Sequence, residues 1–168
     1  MILDWAAFLK TCITMQTFEL TWGTLLHLIG IIFITSNLAA SQFAVAHEVM
    51  HKPGRFYRVL ATLHMSKLYY THFTFHHLYK HHRDVATPKD PSTSLKGETL
   101  YQYLVRTVRD SWVCVYQEEK ANGKKLWNNY AILSIVSTVF FSLLVYLIFG
   151  LQPFIVTSIV SLGAIIYL

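Results

Sequence analysis

Two long stretches of the chain contain no Asp, Glu, Lys or Arg. The first covers residues 20–47 and the second covers residues 126–168. A helix needs roughly 20 consecutive, mostly apolar residues to cross the hydrocarbon core of a bilayer. We therefore predict a transmembrane helix over residues 20–46 and further spans in the second stretch.

A turn signal divides the second stretch. Gly150 and Pro153, with two residues between them, are strong helix and strand breakers. The pattern predicts a helical hairpin with spans over residues 129–149 and 153–168. The latter is shorter than a full crossing, so we expect the chain to continue beyond this sequence.

The residues between the apolar stretches form a polar belt, residues 47–125. All 14 Lys and Arg residues except Lys10 lie in it. Basic residues concentrate on the cytoplasmic side of membrane proteins. The belt is therefore predicted to face the cytoplasm or the matrix, at an inner, plasma or mitochondrial inner membrane. Because the formal charge of +5 lies between spans, no nucleic-acid partner is expected.

Three further segments mix apolar and polar residues. Residues 1–20 are predicted to be an interfacial lead-in. Residues 99–119 have the spacing of an amphipathic interfacial helix that stops at Asn122-Gly123. Residues 56–75 are long enough to cross the membrane. A single crossing, however, would place the histidines before this segment and those after it at opposite membrane faces. That segment is expected to lie along the interface or to re-enter from the same side.

Composition supports this class of protein. Hydrophobic residues make up 54% of the chain and charged residues only 14%, whereas soluble domains carry about 25% charged residues. We predict an all-α integral membrane helical bundle whose cytoplasmic-side amphipathic helices carry histidines. The cysteines, Cys12 and Cys114, are too far apart for a zinc ribbon.

The candidate chemistry lies in two histidine clusters within the belt. Residues four apart share a helix face, so His47/His51 and His77/His81 are each predicted to form a pair, with His82 beside the second. Imidazole binds zinc, copper, iron and nickel. The clusters therefore predict a transition-metal site without identifying the metal.

The first cluster, residues 47–51, also matches the HExxH signature of zinc proteases, with Glu48 as general base. Such an enzyme needs three protein ligands and one open position. Five spaced histidines exceed that requirement and favour more than one metal. A membrane zinc metalloprotease remains an alternative, as does a purely structural role for the first pair.

The two clusters lie in the runs AHEVMHK at residues 46–52 and HLYKHHRDVATPKDP at residues 77–91. These runs resemble the histidine boxes of the integral-membrane alkane monooxygenases and the related xylene monooxygenases. The resemblance implies a non-haem di-iron monooxygenase that uses dioxygen to hydroxylate an alkane or another hydrophobic substrate. It also implies iron as the metal, a rubredoxin- or ferredoxin-type electron donor, and contact with membrane lipid. Zinc is the less favoured metal. The implied iron ligands are His47, His51, His77, His81 and His82.

The chain departs from the family pattern in two ways. His76 stands where the family usually has Glu, and the family's third histidine box does not occur up to residue 168. Three alternatives follow: a second chain supplies the missing histidines, the sequence is a fragment, or the protein is a non-catalytic accessory subunit derived from such an enzyme. The candidates for hydrogen bonding to the ligand imidazoles are Glu48, His72, His76, Asp84 and Asp90.

Overall fold

The computed structural model describes residues 2–167 and contains helices and turns, but no strand, within that range. The α-helices are α1 Ile2–Gln16, α2 Leu25–Met50, α3 Arg55–Lys67, α4 Phe73–His76, α5 His82–Asp84, α6 Leu100–Ala121, α7 Tyr130–Phe149 and α8 Leu151–Ile166. A π-helix, His77–His81, joins α4 to α5, and a 3₁₀ turn, Leu126–Asn128, precedes α7. The all-α prediction is confirmed.

Two of these helices are long and apolar enough to cross a membrane, namely α2 and α7. With 26 and 20 residues, they are about 39 and about 30 Å long. Helix α2 begins at Leu25, later than the predicted residue 20, and continues to Met50. It ends just before Pro53, because the residue preceding a proline is disfavoured in helix.

The turn between α7 and α8 is a single glycine. Gly150 has a φ of +95°, a conformation that residues with a Cβ rarely adopt. Helix α8 begins at Leu151, two residues before the predicted start. Pro153 therefore lies in its first turn, where a missing backbone N–H breaks no helical hydrogen bond.

The chain divides into two compact units, and the first comprises Met1–Tyr69 and Thr138–Leu168. Its core is built where α1 packs on the α7–α8 hairpin: Phe8 and Cys12 contact Val145, and Met15 contacts Val156 and Val160. Helix α1, expected as an interfacial lead-in, thus contributes fully buried side chains to this core.

Small residues let α2 and α8 approach closely. A Cβ placed on Gly163 of α8 would lie 2.6 Å from the Ser36 Oγ and 3.2 Å from its Cβ. The Ser36 hydroxyl in turn donates a hydrogen bond of 3.2 Å to the Val160 carbonyl. The contact therefore requires glycine at position 163.

Three ionisable side chains are buried together where α1 meets α3. The Asp4 carboxylate forms an ion pair with the Lys67 ammonium, and His64 Nδ1 lies 3.5 Å from the same carboxylate. All three are at most 2% exposed. Burial lowers the pKa of His64 to about 4. The contact with α1 covers the His64 side chain.

The second unit, Tyr70–Ser137, contains all of α6 and the second histidine cluster. Helix α6 begins with a capping box in which Thr99 and Gln102 exchange side-chain and backbone hydrogen bonds. It ends at the predicted Asn122-Gly123 stop, where Gly123 has a φ of +77°. Trp112 Nε1 donates to the Ala131 carbonyl at 2.9 Å, which fixes the start of α7 on α6.

We expect Gly163→Ala to destabilise the protein by about 1–3 kcal/mol, because the added methyl overpacks the α2–α8 contact. Gly30→Ala is the matched control, since its Cβ would meet nothing within 4 Å. Thermal unfolding in detergent would measure both variants. Partial recovery in Gly163→Ala/Ser36→Gly is expected, and equal stability of the two single variants would contradict the packing argument.

We expect Asp4→Asn or Lys67→Met alone to cost about 3–5 kcal/mol, because each leaves an uncompensated buried charge. The double variant should be more stable than either single variant, since no charge is then left buried. Unfolding of the four proteins in the same detergent gives the coupling. Strictly additive losses would show that the two side chains do not depend on each other.

Candidate metal centre

The first histidine pair lies at the end of α2. His47 and His51 are one helical turn apart, and their Nε2 atoms are 3.4 Å apart with ring centroids at 4.8 Å. The i,i+4 spacing predicted this pair, and His51, which caps the helix with helical backbone angles, stays on the same face as His47. The two imidazoles therefore present the same ring nitrogen toward one point.

The second pair lies in the other unit and results from the π-helix. The His82 amide donates to the His77 carbonyl, an i→i+5 hydrogen bond in place of the α-helical i→i+4 bond. In a regular α-helix these residues would be about 140° apart around the axis. The wider turn instead brings their Nε2 atoms to 2.9 Å.

This pairing differs from the predicted His77/His81 pair. The His77 and His81 rings are stacked, with centroids 5.2 Å apart. The Nδ1 atom of His81 faces a different partner, the Asp90 carboxylate. The predicted pair assumed a regular α-helix, which is wrong for residues 77–81. The partner of His77 is His82, and His81 instead contacts Asp90.

The spacing within each pair fits a bound metal ion. With metal–imidazole bonds of about 2.0–2.1 Å, neighbouring ligand nitrogens are about 3.0 Å apart at right angles and about 3.4 Å apart at tetrahedral angles. The separations of 2.9 and 3.4 Å lie at these values. Each unit therefore offers two adjacent nitrogen ligands without rearrangement of its helix.

Asp90 holds His81 in one orientation. Its Oδ2 accepts hydrogen bonds from His81 Nδ1 at 2.9 Å and from the Thr93 hydroxyl at 2.7 Å, and its Oδ1 accepts from the Ser92 amide at 3.1 Å. The carboxylate is 3% exposed. Burial opposes its ionisation, but these hydrogen bonds outweigh burial and keep the pKa of Asp90 below its usual range. With its proton on Nδ1, His81 presents Nε2 as a metal ligand.

The family is decided by a comparison over almost the whole chain. Residues 21–168 match the model of the fatty acid desaturase family. The chain belongs to this family. Similar proteins include an alkane 1-monooxygenase of Pseudomonas putida, 30% identical over 88% of this chain and 38% of the relative. Another, from Acinetobacter baylyi, is 40% identical over 49% of this chain and 21% of the relative.

These comparisons confirm the resemblance to membrane histidine-box monooxygenases. The chain spans about 38% of the length of the Pseudomonas putida relative. Family membership, together with the apolar helices α2 and α7, assigns the protein to a membrane. The family also implies iron, and the imidazole-rich donor set agrees with a transition metal.

Helix α6 holds the loop that carries Asp90. Arg106 donates to the Pro91 and Thr93 carbonyls at 2.8 and 3.0 Å, and it forms two hydrogen bonds to the Glu98 carboxylate. Residue spacing does not indicate this role, because it places Arg106 simply as one charge on an amphipathic helix. The one sequence feature that hints at the contact is the position of Arg106, which is seven residues after Thr99 and therefore close to the loop.

His76 is the least solvated of the candidate residues. It is fully buried, and neither ring nitrogen has a hydrogen-bond partner in the described part of the chain. Its Nε2 lies 3.6 Å from Asp90 Oδ1. Burial lowers the pKa of His76 to about 4, so the imidazole is neutral at physiological pH.

The other candidates have different surroundings. Glu48 is exposed on α2. His72 is buried, with its Nε2 3.1 Å from the Ser111 hydroxyl. Asp84 pairs with Arg83 and Lys80, which both also contact Glu118 of α6. Asp90 forms a direct hydrogen bond to a box imidazole, that of His81.

We expect Arg106→Lys to loosen the loop of residues 85–98, because one ammonium cannot replace the forked contacts of the guanidinium. Limited proteolysis of the detergent-solubilised protein should show faster cleavage in this loop. Arg109→Lys, one turn along α6, is the matched control, since Arg109 is exposed and pairs with Asp110. Equal cleavage rates for the two variants would remove Arg106 from this role.

Proposed function

We propose that this chain is the histidine-box portion of a membrane di-iron monooxygenase that hydroxylates an alkane or another hydrophobic molecule. The observation that carries the proposal is the ligand geometry within each unit: two imidazole pairs with metal-ligand spacing, and Asp90 on His81. Family membership supports the reaction class.

The proposed iron ligands are His47, His51, His77, His81 and His82. Four of them present Nε2 in pairs, and Asp90 fixes Nε2 as the ligand atom of His81. Five imidazoles leave two irons with too few protein ligands. We propose that the remaining ligands come from the rest of a longer polypeptide or from a second chain.

The chemistry that iron supplies in this setting is activation of dioxygen for insertion of one oxygen atom into an unactivated C–H bond. The other oxygen atom leaves as water, which requires two electrons and two protons. A rubredoxin- or ferredoxin-type protein is the proposed electron donor. We place the histidines on the cytoplasmic or matrix side, where the 13 basic residues other than Lys10 lie between the spans.

The protein's own residues have separate tasks in this proposal. The imidazoles bind the metal, and Asp90 orients one of them. Arg106 and Thr107 hold the Pro91 carbonyl, at 2.8 and 3.0 Å, and so keep the Asp90 loop against α6. A hydrophobic substrate would enter from the lipid around the apolar helices α2 and α7.

We expect His81→Ala and Asp90→Asn to lower the iron content of the purified protein, with Asp90→Asn costing about 10–100-fold in metal affinity. Iron would be measured by elemental analysis after reconstitution with Fe²⁺ under anaerobic conditions. His27→Ala is the control, because His27 is exposed on α2 and distant in sequence from both clusters.

Activity separates the proposed enzyme from its alternatives. With the electron donor, an alkane and the complementary histidine segment supplied, oxygen consumption and alcohol formation are expected. Iron binding without oxygen consumption would favour an accessory subunit. Binding of a single zinc ion, together with peptide cleavage that Glu48→Gln abolishes, would instead establish the protein as a protease.

A further inference from the structure

A buried imidazole without a hydrogen bond needs a physical explanation. His76 is fully buried, and both of its ring nitrogens lack a partner within hydrogen-bonding distance among residues 2–167. An unsatisfied buried polar group costs about 1–3 kcal/mol. Such groups are rare in folded proteins and often mark a functional constraint. An apolar side chain of similar size would avoid this cost.

One oxygen of the Asp90 carboxylate lies near the His76 ring. Its Nε2 faces Asp90 Oδ1 at 3.6 Å, slightly beyond the range of a hydrogen bond. On the other side of the same carboxylate, Oδ2 accepts the His81 Nδ1 proton at 2.9 Å. The two oxygens of the Asp90 carboxylate therefore lie close to two different imidazoles.

Asp90 Oδ1 can accept a further hydrogen bond, because a carboxylate oxygen offers two acceptor sites. The Ser92 amide donates to Oδ1 and the Thr93 hydroxyl donates to Oδ2, and both donors belong to the loop itself. They tie the carboxylate to its own turn. A donor at His76 would tie it to α4, the helix that leads directly into the histidine cluster.

We propose that His76 is a positioning residue, which donates Nε2–H to Asp90 Oδ1 and thereby locks the carboxylate that orients His81. The proposal rests on the proposed metal function and adds a residue specific to this chain. A closing movement of about 0.5 Å would bring the two atoms into hydrogen-bonding range. A glutamate at this position, as is usual in the resembling family, would be an acceptor when ionised and could not donate to Asp90.

A double-mutant cycle on metal affinity tests this proposal. The probe is Fe²⁺ added to the anaerobic, detergent-solubilised protein in competition with a chromophoric chelator. We expect His76→Leu to weaken binding about tenfold. In an Asp90→Ala background, the same change should alter affinity by less than about twofold, because the residue through which His76 acts is gone.

Two further variants separate positioning from general packing. His76→Gln retains an amide donor near the position of Nε2 and should recover most of the lost affinity. His64→Leu is the matched control, because His64 is also fully buried, with neither ring nitrogen hydrogen-bonded in the described chain. It should change thermal stability without changing iron affinity.

The outcomes distinguish the positioning role of His76 from the proposed set of metal ligands. Equal losses from His76→Leu with and without Asp90, or no loss in the wild-type background, would overturn the positioning role of His76. If His81→Ala bound Fe²⁺ as tightly as the wild type, the proposed ligand set itself would fail. If His81→Ala loses metal but the affinity losses from His76→Leu and Asp90→Ala are additive, the proposed metal site stands and only the positioning role of His76 is rejected.

Discussion

A single buried carboxylate organises the second unit. Removing a charge from water is costly unless hydrogen bonds replace the lost solvent, and Asp90 meets that requirement with Ser92, Thr93 and His81. The loop around it must therefore hold one conformation. Helix α6 enforces this conformation through Arg106, whose guanidinium reaches two loop carbonyls and the Glu98 carboxylate. The orientation of the His81 imidazole thus depends on a chain of contacts that reaches the second turn of α6.

Helix geometry decides which histidines can share a metal. In α2 the regular α-helix brings His47 and His51 together at four residues' spacing. In the second unit the π-helix pairs His77 with His82 and leaves His81 to Asp90. π-Helical turns are uncommon and frequently occur at functional sites. One local change in backbone hydrogen bonding therefore provides both an adjacent ligand pair and a third imidazole with its own carboxylate partner.

The first unit shows the distribution of polarity expected of a bundle in lipid. Large apolar side chains such as Leu147, Ile155 and Ile159 are exposed, whereas Asp4 and Lys67 are paired in the interior. Charges in apolar surroundings are normally paired and turned inward. The close contact at Gly163 is also typical of membrane helices, where small residues allow backbones to approach. The ion pair and the glycine contact explain why α1 and α8 take fixed positions against α3 and α2.

Much of the fold followed from the sequence, because it depends on local periodicity and charge. The apolar stretches predicted α2 and α7, Gly150 predicted the turn, and the i,i+4 spacing predicted the His47/His51 pair. The motifs also identified the family before the comparisons confirmed it. Tertiary structure alone decided the rest. The π-helix changed the pairing of His77, and packing of α1 on α3 buried His64. Arg106 contacts a loop that precedes it in the chain, and the His76 Nε2 lies 3.6 Å from Asp90 Oδ1. These features depend on non-local packing and on one departure from regular helix geometry, which residue spacing does not encode.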